Sequence, residues 1–232
     1  MQKINVILFP GAWGNQTEKQ IIWWFRFAIA FLMAFFTKKG QTVRVVPVVY
    51  HGSSRKEIIS NAVYQLSTLD SAAYNLAVCY STGGQVVRLV AQNIRFDDVL
   101  LISSLERGGV PIERLLKGFR VMLIPFLRAM FTNMLFLTEK GLQFVFGTLE
   151  GIREHIHHQI FWPCLALDMP IFLPPRLSCT CVKAVYGSED FFLGRPRYRS
   201  ENVQGVEVVG AGHGLILDKE KLTQALSQLY TQ

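Results

Sequence analysis

The peptide Asn75–Val90, NLAVCYSTGGQVVRLV, decides the reading of this chain. Its first half is an uninterrupted apolar run, rich in the residues of a buried parallel strand, and it stops at Ser81-Thr82-Gly83-Gly84. Its second half opens a helix at once. A residue at Ser81 would sit on a tight strand-to-helix turn in a strained backbone conformation, and the residues two before and two after it would have to be small. Cys79 and Gly83 meet that demand. The turn would place a hydroxyl at the carboxyl edge of a sheet and at the positive end of the next helix, where a developing anion is stabilised.

Outward from this turn, the chain alternates strand-like and helix-like segments. Strands are predicted at Asn5–Phe9, Thr42–Tyr50, Asn75–Tyr80 and Asp98–Ser103, with helices at about Thr17–Lys39, Ser54–Leu69 and Gly83–Asn93 between them. This is the rhythm of a doubly wound, mostly parallel sheet. It breaks off after Ser103. Residues 104–177 are rich in Phe, Leu, Met and Pro, with helices expected near Ile112–Leu123 and Phe126–Leu137 on either side of Pro125. Strands at Cys179–Tyr186 and Val206–Val209 and a helix at Lys219–Tyr230 complete the chain.

The peptide around Ser81 resembles the nucleophile elbow of the α/β-hydrolase superfamily, whose usual pattern is G-x-S-x-G. Cys79 stands where the first glycine normally does. The resemblance implies a reduced α/β-hydrolase fold, with a mostly parallel sheet of about six strands, flanking helices and a helical cap insertion. Residues 1–103 and 178–232 would form the core and 104–177 the cap.

It also implies the remaining parts of a site. Leu8–Asn15 (LFPGAWGN) matches an oxyanion-hole loop, with Pro10 in place of the histidine often found before Gly11. The backbone amides of Thr82 and Ala12 are the expected donors, with Trp13 as the neighbouring candidate. The acid is expected at Asp190 in the turn after Val182–Tyr186, with Glu189, Asp98 and Asp168 as weaker candidates. The base is expected at His213, between two glycines after the last strand. Ser81, Asp190 and His213 then follow the chain order nucleophile, acid, histidine, each directly after a strand. A serine hydroxyl needs such a base near neutral pH, and the carboxylate would fix the imidazole tautomer.

Half the residues are apolar and only 18% are charged. Much of the excess lies in Ile21–Phe36 (IIWWFRFAIAFLMAFF), which is shorter than the ~20 residues of a spanning helix and contains Arg26. The rest lies in the cap. An apolar Met- and Phe-rich cap implies a pocket for a hydrophobic acyl group, lined by Trp13, Leu123, Phe126 and Met130.

The formal charge of +7 is spread along the chain without a basic block, which argues against nucleic acid. Arg107, Arg114, Lys117, Arg120 and Arg128 in the cap would suit an acidic carrier, as in the pimeloyl-acyl-carrier-protein methyl ester esterases whose layout this sequence resembles. The expected substrate is thus a small-molecule or carrier-bound acyl ester, and helix 21–36 would be covered by the insertion or in a homodimer, or serve a peripheral membrane contact.

No secretory signal or disulfide framework is read from the start of the chain or from the four cysteines, so a reduced, cytoplasmic protein is expected. No cofactor is expected. No metal is expected either, since Glu154, His155, His157 and His158 lack the H-E-x-x-H spacing. The leading expectation is a serine hydrolase of esters or thioesters. Its alternatives are a non-catalytic binding protein on the same fold, or a lyase or acyltransferase.

Overall fold

Side chains alternate between two faces along a strand, and a sheet covered on both sides needs apolar residues at nearly every position. Strand β1 (Lys3–Phe9) meets that requirement: from Ile4 onward every residue is buried. Ile4, Val6 and Leu8 enter one apolar layer, Ile7 and Phe9 the other. The computed structural model describes residues 2–11, 17–51, 55–104, 177, 179, 181–190 and 203–231. Apart from its end residues Ser104 and Leu177, the predicted cap therefore lies outside the described residues.

After β1 come α1 (Glu18–Trp24), α2 (Arg26–Lys38), β2 (Thr42–Pro47), α3 (Arg55–Leu66), β3 (Tyr74–Tyr80), α4 (Gly83–Val90) and β4 (Asp98–Ile102). Then follow β5 (Cys181–Gly187), β6 (Val203–Val208), a 3₁₀ turn at His213–Leu217 and α5 (Lys219–Thr231). Among the described residues the six strands form one wholly parallel sheet in the order β2-β1-β3-β4-β5-β6. Residues of α1, α2 and α5 cover one face, those of α3 and α4 the other. The order reverses between β1 and β3. Loops leaving those two strands diverge to opposite faces, so a crevice opens at their carboxyl ends, where ligands bind in such sheets.

The long helix expected over Thr17–Lys39 is two helices bent by 76°. Thr17 starts the first with a capping box closed by Gln20. The break falls at Phe25 (φ −89°, ψ 6°), whose ring is fully buried against the sheet. Arg26 stabilises the break. Its Nη1 donates to the Trp23 carbonyl at 2.8 Å, and its guanidinium lies 4.1 Å from the Trp23 ring and 4.2 Å from the Phe27 ring. No single helix among the described residues is long and apolar enough to cross a membrane. β2 ends at Pro47, short of the expected Tyr50, although the Val48 N–H still donates to Leu8 O at 3.0 Å; proline, with no N–H to offer a further strand, fits this edge position.

Phe25 contributes to the bend through its burial. Phe25→Ala should cost about 3–5 kcal/mol, read as a lower urea midpoint in equilibrium unfolding.

Candidate active site

β3 delivers Ser81 to the carboxyl edge, and there the backbone turns left-handed: Ser81 has φ 52°. Two close approaches hold the turn. A Cβ on Gly83 would come within 2.2 Å of the Phe9 carbonyl oxygen, and a Cβ on Gly11 within 3.0 Å of the Ser81 Cβ. Glycine at both places lets the chain leaving β1 run against the turn. Cys79, in place of the expected glycine, is fully buried in the layer beneath α3 and α4 with Phe9 and Leu101. Burial pushes its thiol pKa well up, which leaves it protonated and apolar in character.

β5 and β6 deliver the other two side chains. A Cβ on Gly187 would come within 1.9 Å of the Ala211 carbonyl oxygen, so the loops after β5 and β6 lie in direct backbone contact. They are laced together: the Ser188 N–H donates to Val208 O at 3.0 Å, the Glu189 N–H to Ala211 O at 3.0 Å, and the Gly210 N–H to Ser188 Oγ at 2.9 Å. Gly210, at φ 68°, turns the second loop back toward Ser81, and Lys221 Nζ donates to its carbonyl at 2.8 Å.

The result is a continuous relay. The Asp190 carboxylate, on a residue only 2% exposed, lies 3.0 and 3.2 Å from His213 Nδ1. His213 Nε2 lies 3.0 Å from Ser81 Oγ. Because the carboxylate only accepts, Nδ1 carries the proton, and Nε2 is left as the acceptor for the Ser81 hydroxyl. Tyr80 supports the ring. Its hydroxyl donates to the His213 carbonyl at 3.2 Å, and its ring lies 5.3 Å from the imidazole and stacks on Trp24 at 6.3 Å.

Of the alternative acids, Glu189 precedes Asp190 in the same turn and is exposed. Asp98 opens β4 at the opposite, amino edge of the sheet, where it pairs with Lys183 at 3.7 Å. Asp168 lies outside the described residues, as do Ala12, Trp13, Leu123, Phe126, Met130, Glu154, His155, His157 and His158. Thr82 follows Ser81 and precedes α4. No group of three or more metal-ligating side chains occurs among the described residues.

Two supports escaped the sequence reading. In the sequence Tyr80 reads only as a strand residue. Ser104 reads only as the first residue of the cap, yet it is fully buried and hydrogen-bonded to the turn at Ser81. A pair of serines ending an apolar strand beside the elbow was the available signal.

No protein-family model and no curated protein matches the sequence. Solved structures do. The RedJ thioesterase from the prodiginine biosynthetic pathway in Streptomyces coelicolor is 15% identical, with a TM-score of 0.54, over 100% of this chain and 88% of that one. A serine hydrolase involved in carbazole degradation is 16% identical, with a TM-score of 0.54, over 100% and 92%. A lipase-esterase related protein from Clostridium acetobutylicum is 14% identical, with a TM-score of 0.55, over 97% and 93%. These likenesses show the fold: the chain has an α/β-hydrolase fold.

Burial and the Asp190 charge raise the Tyr80 phenol far above its ordinary value of 10.0. Above that value the unfolded chain loses this proton while the native one keeps it, so stability falls as pH rises. Removing the phenol removes its share. Tyr80→Phe should therefore make the decline between about pH 10 and 11 shallower, by up to about 1.4 kcal/mol per pH unit, in urea titrations across that range.

Proposed function

We propose that the chain is a serine hydrolase that cleaves a carboxylic ester or thioester of a hydrophobic acyl group through an acyl-enzyme at Ser81. The observation that carries this reading is the relay from the Asp190 carboxylate through both nitrogens of His213 to Ser81 Oγ, with neither contact in the chosen bonds longer than 3.0 Å. Histidine takes the hydroxyl proton as Oγ attacks the acyl carbon, and the buried Asp190 stabilises the imidazolium that forms. Collapse of the tetrahedral intermediate breaks the bond to the alcohol or thiol, which leaves with the proton from Nε2. Water then attacks the acyl-enzyme by the same route, releasing the acid and restoring the serine hydroxyl.

The negative oxygen of each intermediate is assigned to the Thr82 N–H and to an amide in the segment after Gly11, with Ala12 first and Trp13 second. The near-contact of Gly11 with Ser81 supports a donor from that segment. The apolar composition of residues 104–177 supports a greasy acyl pocket, with Leu123, Phe126 and Met130 assigned to it alongside Trp13. Thioesterases among the similar structures keep the thioester open beside the ester. We assign the chain to the cytoplasm, with the basic cap residues receiving a carrier-bound substrate. The non-catalytic alternative loses support from the 3.0 Å contact between His213 and Ser81. For the second face, Ile22, Trp23 and Met33 are each more than 40% exposed on α1 and α2, which supports contact there with a second copy or a membrane surface.

Ser81→Ala should lower kcat for p-nitrophenyl acyl esters by at least about 10³-fold; unchanged turnover would remove Ser81 from the role. Across a series from acetyl to dodecanoyl, kcat/KM of the native chain should rise with acyl length, and a strict acetyl preference contradicts the greasy pocket. Asp190→Asn should leave the fold intact and cost about 10³–10⁴-fold in kcat, since the imidazole then takes the wrong tautomer.

A further inference from the structure

Helix α4 begins without help from its own cap residue. Thr82 makes no side-chain capping bond, and its Oγ1 is buried without a hydrogen-bond partner. The first N–H groups of a helix need acceptors from elsewhere. One comes from Ser104, twenty residues on, whose Oγ accepts the Gly84 N–H at 3.1 Å. The same hydroxyl donates to the Ser81 carbonyl. Ser104 is wholly buried. The backbone is shaped to bring it there: Ser103 before it has φ 43°, and the Ser103 N–H is tied to Val185 O at 2.8 Å.

We infer that Ser104 is a positioning residue that sets the aim of the Thr82 N–H, the amide assigned above to the oxyanion; the inference rests on that reading of Ser81. The Ser81 carbonyl and the Thr82 N–H belong to one peptide unit. That unit is planar and trans, so its C=O and N–H point in opposite directions and turn together. A donor fixed on the carbonyl therefore fixes the N–H on the other side. The Ser81 carbonyl also accepts the Gly84 N–H at 3.4 Å, longer than the 3.1 Å bond from that N–H to Ser104 Oγ, so Ser104 joins the carbonyl to the first turn of α4 and is the side chain that holds the plane of the unit. The task needs a small side chain that donates and accepts at once, which a hydroxyl does and an alkyl group does not.

The test compares the native chain with Ser104→Ala and Ser104→Thr, each counted by active-site titration with a fluorophosphonate. Per titrated site, Ser104→Ala should lower kcat about 10- to 100-fold and weaken binding of a trifluoromethyl ketone, which forms a tetrahedral oxyanion on the serine, by a similar factor. KM should change by less than about threefold, and Ser104→Thr should recover most of the loss. Lost packing alone would lower the melting temperature and the titratable fraction, yet leave per-site kcat and ketone affinity within about twofold; that outcome overturns the inference. If Ser104→Ala does not fold, Ser104→Cys, a small side chain with a weaker donor, makes the same comparison. A native chain that titrates normally while Ser104→Ala matches it removes Ser104 alone. A native chain that takes up no label at Ser81 removes the reading of Ser81 and this inference with it.

Discussion

Ser81 carries a Cβ in a left-handed conformation, which costs on the order of 1–3 kcal/mol and persists only where the surroundings over-determine it. Here they do. β1 presses on the turn through Gly11 and the Phe9 carbonyl, whose approach only a glycine at position 83 permits. The end of β4 grips it through Ser104. Relaxing φ at Ser81 would move Oγ away from His213, turn the Thr82 amide and unseat the first turn of α4. A single strained residue thus couples the proposed nucleophile, the amide assigned to the oxyanion and the helix start, and the parallel order β1-β3-β4 supplies the neighbours that hold it.

The other half of the relay depends on a second close approach. Gly187 lies so near the Ala211 carbonyl that the loops after β5 and β6 act as one unit, and Asp190 and His213 are carried on it together. The imidazole is therefore held from three sides: by the carboxylate at Nδ1, by the backbone lacing of its loop, and by the Tyr80 ring and hydroxyl. Preorganisation of this kind places the cost of ordering in the fold, so that none of it falls on the reaction.

Much of this was legible in the chain. Strand alternation and the sharp change from apolar run to Ser-Thr-Gly-Gly pointed to a parallel sheet with an elbow at Ser81, and the geometry joins Asp190 and His213 to it. What local sequence could not express was contact across the sheet. Nothing near Phe25 announces the 76° bend: no helix breaker is present, and the burial of Phe25 in the core over the sheet is not visible in the local sequence. Ser104 reads as the first residue of the cap until β4 is known to lie beside β3. The apolar excess of Ile21–Phe36 divides in the same way: Ile21, Phe25, Ala28, Ile29, Leu32 and Phe36 form the face against the sheet, while Ile22, Trp23 and Met33 remain outside.

The central claim is that Ser81 is acylated during turnover. It is tested most directly by acid-quenching the native chain during hydrolysis of a long-chain acyl ester and measuring the mass of the peptide that spans Ser81. The account predicts that this peptide gains one acyl group, covalently held on the Ser81 oxygen and absent from His213→Ala. Turnover with no adduct on any peptide at any quench time, or an adduct carried by Cys179 or Cys181 with Ser81 unmodified, would contradict it.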